Sequence, residues 1–192
     1  MNDVKITAGV DEAGRGPLAG EVYAAAVILN PDDSIDGLRD SKKLSPKRRS
    51  DLSIQIKRRS LAWSISFASV EEIDELNILN ATLLAMKRAV KGLNVSPEIA
   101  LVDGNRAPSL KEIEVFTIIK GDQKEACISA ASIIAKVARD ERLIALDHIY
   151  PNWGFKRHKG YGTKIHIEAI RRYGVTPLHR KSFEPIKSMK FD

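Results

Sequence analysis

The chain has 192 residues, of which 43% are hydrophobic, and its formal net charge is +6. This length suffices for one domain with a buried core, and the longest apolar run, Val22 to Leu29, is far shorter than the ~20 residues of a membrane-spanning helix. The first residues lack the apolar segment of a secretory signal, and the single cysteine, Cys127, cannot form an internal disulfide. Composition therefore argues against membrane proteins and disulfide-stabilised secreted proteins, and we expect a cytoplasmic protein with no membrane association.

Alternating and β-branched apolar residues predict five strands, and helical periodicity predicts four helices. In chain order the predicted elements are strands at about 4–10 and 20–29, a helix at 45–58, a strand at 61–69, a helix at 76–91, strands at 98–103 and 114–119, and helices at 126–146 and 163–173. This order favours a mixed sheet flanked by helices. The one plausible boundary lies near Tyr150, so we expect one domain over residues 1–150 and a small helical basic region over residues 151–192.

Two adjacent carboxylates, Asp11 and Glu12, follow the first predicted strand and precede a Gly-Arg-Gly turn at residues 14–16. Side chains alternate along a regular strand, so we expect the glycines to bend the chain and to aim both carboxylates inward. Carboxylate oxygens are hard ligands that suit Mg²⁺ or Mn²⁺. The pair thus indicates a metal site, and the alternative is a solvated acidic turn.

Two further acids follow later predicted strands. Asp103 ends an apolar run before Gly104, where the alternative is an Asx turn. Asp122 precedes the longest predicted helix, and with Glu125 it also fits a helix-capping pattern. Asp140 is a rival acid, but it lies 18 residues beyond Asp122, which is roughly 25 Å along a helix at ~1.5 Å per residue. We therefore predict that Asp140 forms an ion pair on a helix surface.

The positive charge is concentrated near the end of the chain. Residues 156–190 hold ten Lys or Arg and two acids, for a net charge of +8, whereas the remaining residues sum to −2. A basic region that also carries Tyr161 and Tyr173 is typical of a surface that binds a phosphate backbone. The alternative is a solvated charged tail.

Several short blocks of the sequence resemble one known family over nearly the whole chain. In this order and spacing they are similar to ribonuclease HII, the bacterial type 2 ribonuclease H. The blocks are GVDEAGRGPLAG at 9–20 with the apolar stretch 22–29, DSKKLS at 40–45, VDGN at 102–105, KGD at 120–122, SAASIIAKVARD at 129–140, HKGYGT at 158–163 and HRKSF at 179–183.

The resemblance implies a ribonuclease H-like fold, with a mixed five-stranded sheet flanked by helices and a small helical basic C-terminal region that completes a substrate cleft. It also implies a site that holds two Mn²⁺ or Mg²⁺ ions. The residues that match the family's catalytic and metal-binding acids are Asp11, Glu12, Asp103 and Asp122.

The resemblance further implies roles in substrate binding. The Gly14, Arg15 and Gly16 turn is expected to touch the 2′-hydroxyl of a ribonucleotide, and Tyr161 to pack on the next deoxyribose. From their positions we also expect Lys42 and Lys43 to bind a phosphate, with a solvated lysine pair as the alternative. His158 is expected to contact a phosphate or the leaving side of the reaction, and the alternative is a surface histidine.

Three functions compete at this point. The first is a metal-dependent endonuclease that cuts the RNA strand of RNA–DNA hybrids, and cuts 5′ of single ribonucleotides in duplex DNA to leave 3′-hydroxyl and 5′-phosphate ends. The second is a related nuclease that cuts DNA without reading a 2′-hydroxyl, and the third is a non-catalytic nucleic-acid-binding protein. We expect a monomer, and a clamp-type protein partner stays open.

Overall fold

The computed structural model describes residues 5–38 and 44–190. In these residues, five strands form the expected sheet and six helices pack around it. Within these residues, no helix is both long enough and apolar enough to cross a membrane. In chain order the elements are β1 (Thr7–Ala13), β2 (Val22–Ile28), α1 (Pro46–Arg59), β3 (Ala62–Ala68), α2 (Val70–Lys91), β4 (Ile99–Asp103), β5 (Glu114–Ile118), α3 (Gly121–Lys124), α4 (Ala126–Ile149), α5 (Phe155–His158), α6 (Lys164–Tyr173) and a 3-10 turn at Ile186–Ser188.

The sheet has the strand order β3-β2-β1-β4-β5. β2 pairs antiparallel with both β1 and β3, whereas β4 is parallel to β1 and β5 is parallel to β4. The predicted mixed five-stranded sheet is therefore confirmed. Because β1 and β4 are parallel neighbours, their carboxyl ends meet at one edge of the sheet, and Asp11 and Asp103 lie there.

Helices cover both faces of the sheet, and strand β2 shows how the sequence supports this. Ala24 and Ala26 pack with α2 on one face, whereas Ala25 and Val27 pack with α1 and α4 on the other. A strand buried on both faces is apolar throughout, as the run from residue 22 to residue 29 is. The small alanines let the helices approach the sheet closely.

Helix α2 begins earlier than the sequence predicted. Ser69 and Glu72 form a capping box, in which each side chain accepts a hydrogen bond from the other residue's amide. At Asn77 the backbone leaves helical geometry, with φ 68°, and the Asn77 side chain accepts from the amides of Leu79 and Asn80. The prediction that the helix starts at 76 therefore located the second segment and missed the first.

The glycines do turn the chain, but the expectation that this turn aims both Asp11 and Glu12 inward is wrong. The pairing of β1 with β2 continues through both acids to Ala13, and the chain turns only afterwards, at Gly14 with φ 98°. Side chains alternate along this regular strand, so Asp11 faces α4 while Glu12 is on the opposite face. Asp11 is 4% exposed.

The C-terminal region packs on the loop between β1 and β2. The amide of Leu18 donates to the carbonyl of Gly160 at 2.8 Å, and the amide of Arg180 donates to the carbonyl of Leu18 at 2.8 Å. The amide of Gly20 donates to the carbonyl of Leu178 at 2.8 Å. Ala19 and His179 form an isolated antiparallel β-bridge. These bonds hold the Gly-Arg-Gly turn beside residues 160–162.

Candidate active site

Three of the four predicted acids interact at the carboxyl edge of the sheet. Asp11 and Asp103 are one residue beyond the last paired positions of β1 and β4, Val10 and Val102, which places their Cα atoms about 5 Å apart. Burial raises the pKa of Asp11 well above its ordinary value, and the negative charges of Glu12 and Asp103 raise it further. The Ser132 hydroxyl on α4 donates to Asp11 and partly offsets this effect.

The fourth acid, Asp122, lies in α3 and is 1% exposed. Its neighbour Gly121 donates its amide to Asp103 Oδ1 at 2.6 Å, which holds the start of α3 against the end of β4. The N-cap of α3 is Lys120 and that of α4 is Glu125, and neither uses a capping side chain. Asp122 is therefore the N-cap of neither helix, and the Asp103 side chain accepts a hydrogen bond from a residue 18 positions away.

The donor set fits a divalent cation by its chemistry, because crowded carboxylates in a buried setting repel each other unless a cation neutralises them. In residues 5–38 and 44–190, however, no three His, Cys, Asp or Glu side chains are arranged to hold a metal ion. Each interacting acid instead takes a protein donor: Asp11 the amide of Glu12 at 2.7 Å, Glu12 the guanidinium of Arg15 at 3.5 Å, and Asp103 the amide of Gly121. Metal binding would exchange these donors.

A cavity of about 290 Å³ opens beside the acids. It lies between the end of β1, helix α4 and the loop that carries Tyr161, and cationic side chains border it. Its lining residues are Glu12, Ala13, Gly14, Arg49, Ser132, Ile133, Lys136 and Tyr161. The cavity thus joins a predicted metal ligand to two predicted substrate contacts.

The Gly-Arg-Gly turn presents free backbone donors. Among the hydrogen bonds of the described residues, none has the amide of Gly14, Arg15 or Gly16 as its donor. The carbonyls of Gly14 and Arg15, in contrast, accept from Arg180. In this turn the protein thus satisfies the carbonyls of Gly14 and Arg15, whereas the three amides are available to a ligand.

The ring of Tyr161 is 44% exposed, so it is not a core residue. Lys136 Nζ lies 5.9 Å and the Arg139 guanidinium 6.0 Å from the ring centroid, within the range of cation–π attraction. The amide of Tyr161 donates to His158 O at 2.9 Å and its carbonyl accepts from His166 Nδ1 at 3.0 Å. The backbone of this loop is held on both sides while the ring faces outward.

His158 is buried, and its two ring nitrogens contact the backbone. The Gly160 amide donates to Nδ1 at 3.1 Å, so the proton lies on Nε2, which donates to Trp153 O at 2.7 Å. This arrangement leaves no ring nitrogen for a phosphate. We therefore replace the expected phosphate contact with a positioning role for the loop before Tyr161.

A directed chain of hydrogen bonds links two further buried histidines to Tyr161. Thr176 donates its amide to His179 Nδ1 at 2.8 Å, so His179 carries its proton on Nε2 and donates it to His166 Nε2 at 3.1 Å. His166 then donates from Nδ1 to the Tyr161 carbonyl. Burial lowers the pKa of both His166 and His179 to about 4, and the neighbouring histidines contribute to the same shift.

This chain predicts a pH dependence of stability. The folded pKa values of His166 and His179 lie below the unfolded value, so their contribution is present above about pH 6.5 and is lost as pH falls toward 4. We expect the thermal midpoint to fall between pH 7 and pH 5.5, and to fall less in His166→Asn, which does not titrate there. Exposed His148 provides the matched control. An equal fall in wild type, His166→Asn and His148→Asn would contradict the account.

Sequence reasoning missed several residues at this site, chiefly Ser132, Lys136 and Arg49. Ser132 and Lys136 lie four positions apart on α4, a spacing that places both on one helix face. They were missed because the surrounding residues are mostly apolar, which indicated a buried helix instead of a functional surface. Asp140 forms the predicted surface ion pair, with Lys136 at 2.7 Å. Lys42 and Lys43 lie outside the described residues, so their expected phosphate contacts stay predictions.

Comparison with known proteins identifies relatives along nearly the whole chain. The model of the family described as Ribonuclease HII matches residues 8–186. The Ribonuclease HII of Bordetella pertussis is 59% identical over 183 residues, which cover 95% of this chain and 90% of the relative. That of Chromobacterium violaceum is 60% identical over 181 residues, which cover 94% and 91%.

Solved structures agree with the fold. The ribonuclease H2 of Pyrococcus horikoshii superposes with a TM-score of 0.79 at 29% identity over 95% of both chains. The RNase HII in a PCNA complex from Archaeoglobus fulgidus gives 0.75 at 27% identity, over 93% of this chain and 95% of that one. A structure of Bst-RNase HIII in complex with Mn²⁺ gives 0.72 at 18% identity, over 94% and 68%, and shares the fold.

Proposed function

We propose that this chain, which belongs to the ribonuclease HII family and is therefore an endoribonuclease acting on RNA–DNA hybrids, cuts with the acid cluster at the carboxyl edge of its sheet. The observation that carries the assignment is that the negative charges of Glu12 and Asp103 both act on the buried carboxylate of Asp11. Asp122 directly follows Gly121, whose amide donates to Asp103. We further propose that single ribonucleotides in duplex DNA are cut on their 5′ side, leaving 3′-hydroxyl and 5′-phosphate ends.

The four carboxylates would hold Mn²⁺ or Mg²⁺, since their oxygens are the ligands such ions prefer. A pair of bound ions supplies an activated water and charge relief for the leaving oxygen of a phosphodiester. A fold relative, Bst-RNase HIII, was solved in complex with Mn²⁺. When an ion binds, the Asp11 carboxylate would give up its hydrogen bond from the Glu12 amide. The Glu12 carboxylate would likewise give up its ion pair with Arg15, whose guanidinium could then face the substrate.

Recognition of the ribonucleotide would come from the free amides of the Gly-Arg-Gly turn. Three unpaired backbone donors next to Glu12 suit the oxygen of a 2′-hydroxyl, which is what distinguishes RNA from DNA at one position. The absence of a side chain at Gly14 and Gly16 lets the sugar approach this backbone closely. This turn is the feature that argues against a nuclease that cuts DNA without reading a 2′-hydroxyl.

The ring of Tyr161 would pack against the deoxyribose that follows the ribonucleotide. We expect Tyr161→Phe to keep most activity, because the ring stays, and Tyr161→Ala to lose about 10- to 100-fold in kcat/KM, since stacking on an aromatic ring is worth roughly 1–3 kcal/mol. Steady-state cleavage of a duplex with one ribonucleotide measures this. Phe116, 46% exposed on β5, is the matched control, and an equal loss in Phe116→Ala would argue against the assigned role.

One assay separates the three functions considered from sequence. The protein is incubated with Mn²⁺ and with three labelled duplexes: one with a single ribonucleotide, one with an all-RNA strand opposite DNA, and one of DNA alone. We expect the first two to be cut and the third to stay intact. Cutting of the DNA duplex favours the resolvase-like function, and binding without cutting favours the non-catalytic one.

The exposed basic residues from 156 onward, a set that excludes buried Arg180, would track the phosphate backbone together with Lys42 and Lys43. Lys42→Ala is then expected to weaken binding and to flatten its dependence on salt. We propose that the chain acts as a monomer. Because the Archaeoglobus fulgidus relative was solved with PCNA, a clamp is the first protein partner to test.

A further inference from the structure

Two buried arginines, Arg139 and Arg180, contact the loop that contains the Gly-Arg-Gly turn. Both side chains are 0% exposed. Among the ion pairs of the described residues, none includes either guanidinium. A buried cation without a directly bound carboxylate is costly, so its retention points to a geometric role.

Every N–H of the Arg180 guanidinium donates to the backbone of this loop. Nη2 donates to Gly14 O at 2.6 Å and to Gly20 O at 2.8 Å, and Nε also donates to Gly20 O at 2.9 Å. Nη1 donates to Arg15 O at 2.9 Å and to Pro17 O at 2.8 Å. Carbonyls from both ends of the loop thus converge on one planar group.

Arg139 connects the same loop to the one that carries Tyr161. Its Nη2 donates to Ala19 O and its Nη1 to Lys159 O, each at 3.0 Å. A Cβ at Gly14 would lie 2.0 Å from Arg139 Nε, so the turn lies directly on this side chain. The two arginines therefore hold both proposed substrate loops on one rigid base.

We infer that Arg180 is a positioning residue for ribose recognition: by drawing the carbonyls of Gly14 and Arg15 inward, it turns the amides of Arg15 and Gly16, which share the same two peptide planes, toward the substrate. This inference rests on the proposed function of those amides. A lysine keeps the charge but is a point donor without the planar fork, so it cannot bind four separate carbonyls in fixed directions. The side chain of Arg180 itself does not reach the substrate, because all its donors are used within the protein.

The test compares Arg180→Lys with Arg58→Lys, which changes an exposed arginine on α1, outside the proposed substrate surface. Three properties are measured: cleavage of an RNA–DNA hybrid in Mn²⁺, Mn²⁺ binding by calorimetry, and affinity in EDTA for a duplex with one ribonucleotide and for the same duplex of DNA alone. We expect Arg180→Lys to fold and to bind Mn²⁺ as wild type does. Its kcat/KM should fall roughly 100-fold, the loss that a misplacement of about 1 Å causes, and it should lose its preference for the ribonucleotide duplex. Arg58→Lys should change each property by no more than about twofold, as surface substitutions do.

Other outcomes overturn the inference. Near wild-type cleavage by Arg180→Lys would show that the fork is dispensable, and lost cleavage with a retained ribonucleotide preference would show a general structural role. Failure of Arg180→Lys to fold would assign the residue to stability instead of positioning. If wild type itself does not cut the hybrid, the proposed function fails, and the binding comparison in EDTA still decides whether Arg180 sets the ribonucleotide preference.

Discussion

Asp11→Asn is expected to abolish cleavage of RNA–DNA hybrids and, at the same time, to make the metal-free protein more stable. The carboxylate is buried beside Glu12 and Asp103, and both burial and like charge disfavour its ionised form. An uncharged amide removes this repulsion, keeps an oxygen for the Glu12 amide and adds N–H donors toward the neighbouring carboxylates. We expect a gain of about 1 kcal/mol, which shifts the thermal midpoint by roughly 2–4 °C.

The loss of activity follows from the same position, because the cluster would hold its cations through Asp11. Removing an interaction worth several kcal/mol to the transition state lowers kcat/KM by about 10³-fold or more. Added Mn²⁺ should raise the thermal midpoint of wild type and leave that of Asp11→Asn nearly unchanged. Asp51→Asn, on the exposed side of α1, is the control for charge removal alone. An active Asp11→Asn protein, or one less stable in EDTA than wild type, would contradict this view of the cluster.

Gly14→Ala is expected to impair both stability and activity. The backbone at Gly14 has φ 98°, where a side chain costs roughly 1–2 kcal/mol. The new Cβ would also lie 2.0 Å from Nε of Arg139, which three hydrogen bonds hold in place, and such overpacking adds about 1–3 kcal/mol. A shift of the turn by about 1 Å would lower cleavage by roughly 100-fold.

Gly174 offers the matched comparison for this substitution. It also has a positive φ, 75°, but a Cβ there would meet no atom within 4 Å. Gly174→Ala should therefore show the backbone cost alone and keep wild-type cleavage. Thermal midpoints and kcat/KM of the two variants measure the difference, and equal effects would mean that the contact with Arg139 is unimportant.

The short-range pattern of apolar residues was sufficient to predict the strands of the sheet and the location of most of the acids at strand ends. Apolar runs that end in Asp103 and the alternation before Asp11 located two neighbouring strand ends, and the parallel pairing of β1 with β4 then brings these ends together. The predicted turn at the glycines is present, but it begins after both acids, so the expectation that it aims both of them inward was wrong. Asp11 and Glu12 lie on opposite faces of a regular strand and still belong to one cluster. They can do so because they lie at the carboxyl edge of the sheet, where the strands end and no longer separate the two faces.

The supporting residues could not be predicted in this way. Arg139 and Arg180 have charged neighbours in the sequence, where a surface position is the natural interpretation. The carbonyls that bind their guanidinium groups come from distant loops, at residues 14–21 and at Lys159. The bonds between His166 and His179 likewise join residues 13 apart in the sequence. Such contacts depend on the loops between elements, which local periodicity does not describe.

The most direct test of the account is anomalous diffraction at the manganese edge from crystals of the protein soaked in Mn²⁺. The account predicts anomalous peaks bounded by the carboxylates of Asp11, Glu12, Asp103 and Asp122, with Arg15 released from Glu12. Peaks elsewhere, or an ion at this edge with Asp122 outside its coordination shell, would contradict the assignment of the four acids as one metal site.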